Sequence, residues 1–456
     1  MKRVITYGSF DLFHYGHSSL LKRAKELGDY LIVGVTTETF DRSRGKLNIQ
    51  DSLTTRIENV KNTGFADEII LEEHEGQKVT DIQKYEIDVF AVGSDWVGKF
   101  DYLGKYCEVV YLERTRGISS TDLRNERSNI LGFGIMGCGS IADGFVPESR
   151  FVSGLNVEAV FDTRIDRAEH FAQRHQLQTS TSELGTFLDG VDAVYVASPH
   201  STHYQYVRSA LEAGKHVLCE SPLVLSAQEA AELFGLSRKN NLLLLEVIRT
   251  AFAPAFENLM GVANSGQIGS IKIVDATLTR STESQANMLG SEEDGLAGSV
   301  TDLASYPLMA IVKLLGTDIR EMQCYSCFAP NSAFDILTRI HLVFDDAIAS
   351  ATVGLGVESE DSLTISGTEG YIHVPAPWWK TESFESRVGH PARSKKHFLK
   401  LEGDGLRYEI AEFVSTVAKG KLSTYKLRDT ESTTIAGVIE KFTLGKIDGK
   451  GITRVT

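Results

Sequence analysis

Val4-Ile5-Thr6-Tyr7-Gly8-Ser9-Phe10-Asp11-Leu12-Phe13-His14-Tyr15-Gly16-His17-Ser18 carries a short apolar run into a glycine turn and then into a helical pattern. The same order returns at Ile130–Met136 with Gly137-Cys138-Gly139. Strand, glycine turn and helix in that order open a nucleotide-binding α/β unit. A single α/β domain rarely restarts in this way, so a boundary is expected between the two.

Around these two openings the strand and helix signals alternate. In the first unit Val4–Thr6, Tyr30–Thr36, Glu68–Leu71, Asp88–Val92 and Glu108–Leu112 read as strands. Ser18–Leu27 and Leu53–Thr63 read as helices, and Ser120 opens a last one. Near-continuous apolar strands alternating with helices predict a parallel sheet. This unit is expected to end near Glu126, with a short polar link over residues 125–129. The alternation resumes from Ile130 to about Leu245, with strands at Val157–Phe161, Ala193–Ala197, His216–Cys219 and Leu242–Glu246. Beyond it Ile271–Thr279, Ile336–Phe344, Ile348–Val353 and Leu363–Ser366 suggest a more antiparallel sheet, followed by a helix at Leu406–Val417. The expected fold class is α/β. It comprises a Rossmann-like domain over 1–126, a Rossmann domain over 129–250 and an α+β open-sheet domain over 251–456.

Composition agrees with several ordinary cores. The chain has 456 residues, 42% hydrophobic and 24% charged, which argues against wholesale disorder. The net charge of −14 disfavours a protein that coats nucleic acid or an anionic membrane. A small anionic ligand stays compatible, because a local cationic pocket does not show in a global sum. Cys107, Cys138, Cys219, Cys324 and Cys327 are an odd, sparse set, expected of a reduced cytoplasmic protein. The Cys324/Cys327 pair reads as two residues of a half-buried strand; zinc would need a second ligand pair. The N-terminus does not read as a signal peptide, and no apolar run is long enough to span a bilayer.

The first opening carries chemistry. His14 and His17 lie three apart, so both imidazoles fall on one side of a first helical turn. Gly16 between them removes a Cβ where a phosphate could approach. A helix N-terminus adds unpaired N–H groups and a positive dipole end. Together these suit a triphosphate, with the histidines stabilising charge that builds on its α-phosphate. Metal ligation and plain surface polarity are the alternatives for such a pair. A second run, Arg114-Thr-Arg-Gly117-Ile118-Ser119-Ser120-Thr121, places a forked cation before a capped helix. Ser or Thr in that place is often only a cap. Gly93-Ser94-Asp95-Trp96 follows a strand, where ligands of parallel sheets collect.

In that order and context, residues 1 to about 126 resemble the glycerol-3-phosphate cytidylyltransferase family. The motifs are ITYGSFDLFHYGH, VGSDWVGKFDYL and RTRGISST. The resemblance implies CTP binding through the backbone at Ser9 and Phe10, with Tyr15 and Gly16 beside it. It implies phosphate contact by His14 and His17, and triphosphate contact by Lys46. It also implies CTP contacts from Arg114 to Thr121 and a pocket lined by Asp95 and Trp96. Arg44, where the family has lysine, and Lys78 would meet the acceptor phosphate; arginine keeps the charge and changes the geometry. Asp11 would orient the site or the Mg²⁺ that accompanies CTP. The implied reaction is in-line attack by the acceptor phosphate on the α-phosphorus, with pyrophosphate leaving.

The second opening, Gly137-Cys138-Gly139-Ser140-Ile141-Ala142, allows a tight turn, close approach of a pyrophosphate and helix packing. Asp162 ends the strand about twenty residues on, where a carboxylate bonds a ribose diol and favours NAD over NADP; Arg164 weakens that preference. A solvated turn residue is the alternative for Asp162.

From about Asn129 to its end the chain resembles the glucose–fructose oxidoreductase/inositol dehydrogenase (Gfo/Idh/MocA) family. The motifs are GIMGCGSIA, VYVASPHSTHYQYVRSALEAGKHVLCESPL and GLAGSVTDLASYPL. The resemblance implies Ser198, Pro199, His200 and His203 beside the nicotinamide of NAD or NADP, with Glu220 next to it. It implies Asp302 and Tyr306 on the substrate side, Tyr306 as proton donor to a carbonyl. Where the family reads Glu-Lys-Pro, this chain reads Glu220-Ser221-Pro222. An uncharged serine does not replace that lysine. Either Tyr306 and other groups suffice, or this half no longer transfers hydride. Trp378-Trp379 either packs a domain edge or covers a site. Glu246 and Arg249 are a surface pair or substrate contacts, and Arg393–Lys396 reads as a solvated loop.

The expectation is therefore a bifunctional cytoplasmic enzyme. It takes CTP and a small polyol or sugar phosphate, reduces a carbonyl with NAD(P), and is a homo-oligomer without nucleic-acid or membrane partners. CDP-alditols typically feed capsule or teichoic-acid-like polymers. The rival expectation is a cytidylyltransferase whose second half is a silent cofactor-binding or assembly module.

Overall fold

The computed structural model describes residues 1–113, 130–281, 297–330, 332–389, 393–448 and 452–454. They divide into two compact units, Met1–Gly134 with Asp143–Val191, and Ile135–Ala142 with Asp192–Thr456.

The first sheet comprises β1 (Arg3–Gly8), β2 (Tyr30–Thr36), β3 (Glu68–Glu72), β4 (Val89–Gly93) and β5 (Glu108–Leu112), in the order β3-β2-β1-β4-β5. All its pairings are parallel. Helices α1 (Tyr15–Lys25), α2 (Glu38–Ser43), α3 (Leu53–Asn62) and α4 (Gln77–Lys84) connect the strands. Alternate strand residues bury on opposite faces, Val4, Leu31, Val33 and Ala91 on one and Ile5, Ile32, Phe90 and Val92 on the other. Each valine, leucine, isoleucine or phenylalanine among them contributes roughly 1.5–3 kcal/mol when fully buried. The chain leaves β1 toward β2 on one side and meets β4 on the other, which opens a crevice at the carboxyl end of β1. The residues that follow β1 are Ser9 to His14.

The second sheet comprises β6 (Leu131–Met136), β7 (Leu155–Phe161), β8 (Thr179–Thr181), β9 (Ala193–Val196), β10 (His216–Glu220) and β11 (Leu244–Val247), in the order β11-β10-β9-β6-β7-β8. Its helices are α5 (Ser140–Ser149), α6 (Ile165–His175), α7 (Leu184–Asp189), α8 (His200–Glu212) and α9 (Ala227–Lys239).

The third sheet comprises β12 (Ile271–Arg280), β13 (Glu321–Phe328), β14 (Asp335–Val343), β15 (Ile348–Leu355), β16 (Leu363–Gly367), β17 (Gly370–Val374), β18 (Ser383–Val388), β19 (Arg393–Phe398) and β20 (Ile452–Arg454). Its order is β19-β18-β17-β16-β12-β15-β14-β13-β20, and its pairings are mostly antiparallel. Helices α10 (Pro254–Asn264), α11 (Ser299–Leu303), α12 (Ser305–Leu315), α13 (Leu406–Ala418) and α14 (Asp429–Asp448) belong to the same part of the chain. No described helix is long and apolar enough to cross a membrane.

Three local readings change. Helix α1 starts at Tyr15 rather than Ser18, which turns His14 into its N-cap. Arg393–Lys396 is no loop: it lies in β19, paired antiparallel with β18. Its charges mask the strand pattern because nearly every side chain there is exposed. Helices α2 and α4 were not foreseen; each is short and carries few apolar residues. Cys324 and Cys327 lie on β13 as expected and are not disulfide-bonded. The helix expected at Ser120, the boundary near Glu126 and the link over 125–129 lie outside the described residues.

Candidate active sites

The loop from β1 to α1 is bent by Phe10 and Leu12, whose φ values of +51° and +46° are uncommon for side-chain-bearing residues. His14 caps α1, its Nδ1 accepting from Gly16 N–H at 3.0 Å. His17 Nδ1 accepts from His14 N–H at 3.4 Å. With both Nδ1 atoms accepting, both protons sit on Nε2, the tautomer that donates to a phosphate oxygen. The two rings stack with centroids 4.1 Å apart, and Phe10 and Phe13 flank His17. A Cβ on Gly16 would come within 2.8 Å of the His14 ring. In this structure it is the imidazole that requires the glycine.

A cavity of about 460 Å³ opens here, lined by Ser9, Phe10, Asp11, His14, Gly16, His17, Arg44, Lys46, Lys78, Asp95 and Trp96, all expected from the sequence. Tyr15 is exposed and does not line it. Arg44 makes two bonds to Asp41 Oδ1, at 3.1 and 2.6 Å. Burial and the neighbouring Arg44 push the Lys46 ammonium down to about 8. Lys78 pairs with Glu72 and lies over the Tyr7 ring; burial pushes its pKa down as well. Asp11 spends its carboxylate on the backbone N–H groups of Gln50 and Asp51, at 2.7–3.1 Å. Arg114, Gly117, Ile118, Ser119, Ser120 and Thr121 lie outside the described residues.

Arg56 was not foreseen. It is fully buried on α3, and its Nη1 bridges the carbonyls of Ser9 and Thr36 at 2.7 and 2.8 Å. It stands 3.6 Å from Asp41. The histidine loop is thereby tied to the end of β2 and, through Asp41, to Arg44. Only the two distant carbonyls distinguish Arg56 from an ordinary surface cation on an amphipathic helix.

The glycine turn after β6 is built as its spacing implies. Gly137 has φ +99°, and a Cβ there would stand 2.6 Å from the Ala197 carbonyl oxygen. A Cβ on Gly139 would meet nothing within 4 Å. Open space above a helix start fits a dinucleotide pyrophosphate. Cys138 lies in the same turn, Ser140 opens α5, Ala142 is buried and Ile141 is exposed. Asp162 follows β7; its Oδ1 accepts from Arg164 N–H at 3.0 Å, and Oδ2 stands 3.7 Å from Arg167 Nε.

In the second unit, Ser198 and Pro199 lead into α8, where the Ser198 hydroxyl accepts from Thr202 at 2.7 Å. His200 Nε2 stands 3.5 Å from Asp302 Oδ1, so two expected residues meet. His203 is 0% exposed, and its two ring nitrogens face the carbonyls of Pro222 and Ser198, both at 2.9 Å. Burial and the nearby His200 push its pKa down to about 4, and the neutral imidazole has one N–H to donate to one of these two carbonyls. Tyr195 donates to Glu220, whose pKa burial pushes up, and Arg249 Nη2 lies 3.9 Å from Glu220. Burial pushes the Tyr306 phenol up to about 12, so it stays protonated. Ser221 is half-buried beside Glu220. Glu246 and Arg249 are not a surface pair. Glu246 is buried and accepts from Leu223 N–H at 2.9 Å, while Arg249 turns to Glu220. Trp378 is buried with its indole N–H on the Thr277 carbonyl, and Arg280 lies over the Trp379 ring.

Among the described residues no group of three or more His, Cys, Asp or Glu could hold a metal ion.

Three family descriptions match the chain. Cytidylyltransferase-like covers residues 5–126, the oxidoreductase family with an NAD-binding Rossmann fold covers 131–247, and the GFO/IDH/MocA C-terminal domain covers 256–373. Glycerol-3-phosphate cytidylyltransferase from Bacillus spizizenii is 50% identical over 130 residues, 28% of this chain and 100% of that protein. Trans-1,2-dihydrobenzene-1,2-diol dehydrogenase from Bos taurus is 26% identical over 322 residues, 68% of this chain and 95% of that one. A solved 3-ketoreductase from Actinomadura kijaniata, in complex with NADP and TDP-benzene, shares the fold with TM-score 0.61 at 22% identity. That match covers 72% of this chain and 99% of the other.

Proposed function

The chain belongs to the glycerol-3-phosphate cytidylyltransferase family through its first domain and continues into GFO/IDH/MocA oxidoreductase domains, and from this we propose that it is a bifunctional enzyme. The first domain transfers a cytidylyl group from CTP to glycerol 3-phosphate or a related polyol or sugar phosphate. The second half reduces a carbonyl of the same acceptor, before or after activation. The working boundaries are 1–126, 129–250 and 251–456.

The observation that carries the transferase reading is the stacked His14/His17 pair at the head of α1, over a cavity that also holds Arg44, Lys46 and Lys78. An acceptor phosphate oxygen bonds to the α-phosphorus while the bridging oxygen to the β-phosphorus departs with pyrophosphate. Charge on the α-phosphate rises in that passage, and two Nε2–H donors with buried cations favour it over the ground state. No covalent intermediate on the protein is needed. Mg²⁺ would arrive on the triphosphate, while Asp11 orders the loop at Gln50 and Asp51.

In the second half the turn Gly137–Ala142, Ser198–His200 and Glu220 would hold NADH or NADPH, the reduced form supplying the hydride when bound. Tyr306, protonated at neutral pH, gives its proton to the carbonyl oxygen. Glu220 and Arg249 set the charge around that exchange. The Ser221 departure favours one rival reading, in which this half binds cofactor without turnover. We also propose a cytoplasmic homo-oligomer whose CDP-linked product serves polymer synthesis of the capsule or teichoic-acid kind.

The test is the mass of the nucleotide product. Protein with Mg²⁺ and CTP is given polyol and ketose phosphates, with and without NADH or NADPH. A CDP-product two hydrogens heavier only with reduced nicotinamide is the expected result. A CDP-product indifferent to nicotinamide, with no cofactor oxidised, favours the silent second half. No CDP-product with any acceptor overturns both readings.

A further inference from the structure

The cytidylyltransferase-like region ends at residue 126, yet the cavity at His14 and His17 is also lined by Arg150, Phe151 and Val152 from just beyond α5. All of these belong to one compact unit of the chain. Leu47, next to Lys46, forms a parallel bridge with Val152: Leu47 N–H donates to the Phe151 carbonyl at 2.7 Å, and Ser153 N–H donates to the Leu47 carbonyl at 3.0 Å. Lys46 Nζ donates to the Arg150 carbonyl at 2.9 Å. On the other side Arg150 Nη1 donates to the Asp95 carbonyl at 2.6 Å, and Nη2 lies 3.7 Å from the Asp95 carboxylate. Phe151 meets the Trp96 ring edge-on at 6.0 Å, and Lys99 lies over both rings.

We propose that Arg150 is a positioning residue of cytidylyl transfer, through which residues 150–152 form the wall that sets which acceptor phosphate the cavity takes. This rests on the cytidylyltransferase reading above. One short segment clamps two separate loops at once. One loop brings Arg44 and Lys46, the other Asp95 and Trp96. A backbone bridge at one loop and a forked guanidinium at the other fix the gap between them. That gap is the dimension an acceptor of given length must match. A cation to carboxylate pair with an added carbonyl bond is directional, so arginine is suited to the task and lysine is not. Residues 150–152 lie beyond the cytidylyltransferase-like match, so on this proposal the continuation of the chain takes a part in selecting the acceptor.

The experiment uses the full-length chain as wild type, Arg150→Ala and Arg150→Lys. Each is assayed for pyrophosphate release with CTP and a panel of glycerol 3-phosphate, a tetritol phosphate, pentitol phosphates and a ketose phosphate. Binding of NADPH, read by fluorescence, reports that each variant is folded. Loss of a charge-assisted bond predicts a rise of about tenfold or more in KM for the best acceptor with Arg150→Ala. KM for CTP stays within about twofold, and the ranking of acceptors by length flattens. Arg150→Lys recovers part of the loss or none. An Arg150→Ala enzyme that binds NADPH and keeps the wild-type KM and ranking overturns the inference and leaves the transferase reading standing. An equal rise in KM for CTP and acceptor, or a loss shared with NADPH binding, also overturns it in favour of a merely structural role. Wild type that releases no pyrophosphate with any acceptor removes the reading and the inference together.

Discussion

Arg249 stands 3.9 Å from Glu220, beside the position where Ser221 takes the place of the lysine expected in this motif. The second half therefore keeps a cation next to its buried glutamate, supplied from the residues after β11 rather than from the end of β10. Arg249→Leu is expected to lower NAD(P)H-dependent carbonyl reduction by about 100-fold or more, the scale seen when one directed charge is removed from a reacting centre. Release of pyrophosphate from CTP should not change. Parallel absorbance and pyrophosphate assays decide it, and undiminished reduction would remove Arg249 from the reaction.

His17→Ala is expected to cut CDP-product formation by about 10²–10³-fold, the usual effect of removing one preorganised donor. His14→Ala should cut it comparably and also lower the unfolding temperature by about 2–4 °C, because His14 is the cap of α1. Gly16→Ala should displace the His14 ring, whose nearest atom lies 2.8 Å from the added methyl group, and lose activity through that shift. Calorimetry beside the transfer assay separates the three. A melting temperature for His14→Ala equal to that of wild type would argue against the capping role.

Lys46 gives a pH dependence of known sign. Its pKa in the folded chain is lowered from 10.5 to about 8, so the cation present at pH 7 is lost as pH rises through 8. Transfer measured as kcat/KM for CTP should fall there. Stability moves the other way for this group: between about 8 and 10.5 the unfolded chain binds the proton more tightly, so the Lys46 contribution to stability rises with pH. A Lys46→Met variant should lose that part of both profiles, and unchanged profiles would exclude Lys46 as their source.

The two glycines of the second turn should separate fold from binding. Gly137→Ala combines φ +99° with a 2.6 Å approach to the Ala197 carbonyl and should cost about 1–3 kcal/mol of stability. Gly139→Ala meets nothing within 4 Å and should leave stability within about 0.5 kcal/mol. Its added methyl group enters the space a pyrophosphate would use, so NADPH affinity should fall about tenfold or more. Thermal unfolding with and without NADPH measures both; an unaltered affinity in Gly139→Ala would place the cofactor elsewhere.

Much of this was legible in the order of residues, because parallel strands buried on both faces leave near-continuous apolar runs. Tyr30–Thr36 and Glu108–Leu112 appear in the structure with the bounds their hydropathy implies. What hydropathy does not carry is partnership over distance. Arg56 is an ordinary cation until the carbonyls of Ser9 and Thr36 come to it. Arg150 looks like the polar end of a helix until Asp95 and Lys46 close around it. Glu246 and Arg249 lie three residues apart and invite pairing, yet Glu246 accepts from Leu223 N–H and Arg249 turns to Glu220.

Strand β19 has a further consequence. It forms one rim of the nine-stranded sheet, and Arg393, Lys395 and Lys396 crowd it with positive charge on a chain that is acidic as a whole. The outer backbone groups of such a rim are a template onto which a second chain can add. Clustered lysine and arginine make that addition self-repelling, so association of copies is steered away from this rim. The protection is electrostatic and therefore conditional. Concentrated salt or acetylation of those lysines would weaken it, and the colloidal behaviour of the enzyme would change while its chemistry stayed the same.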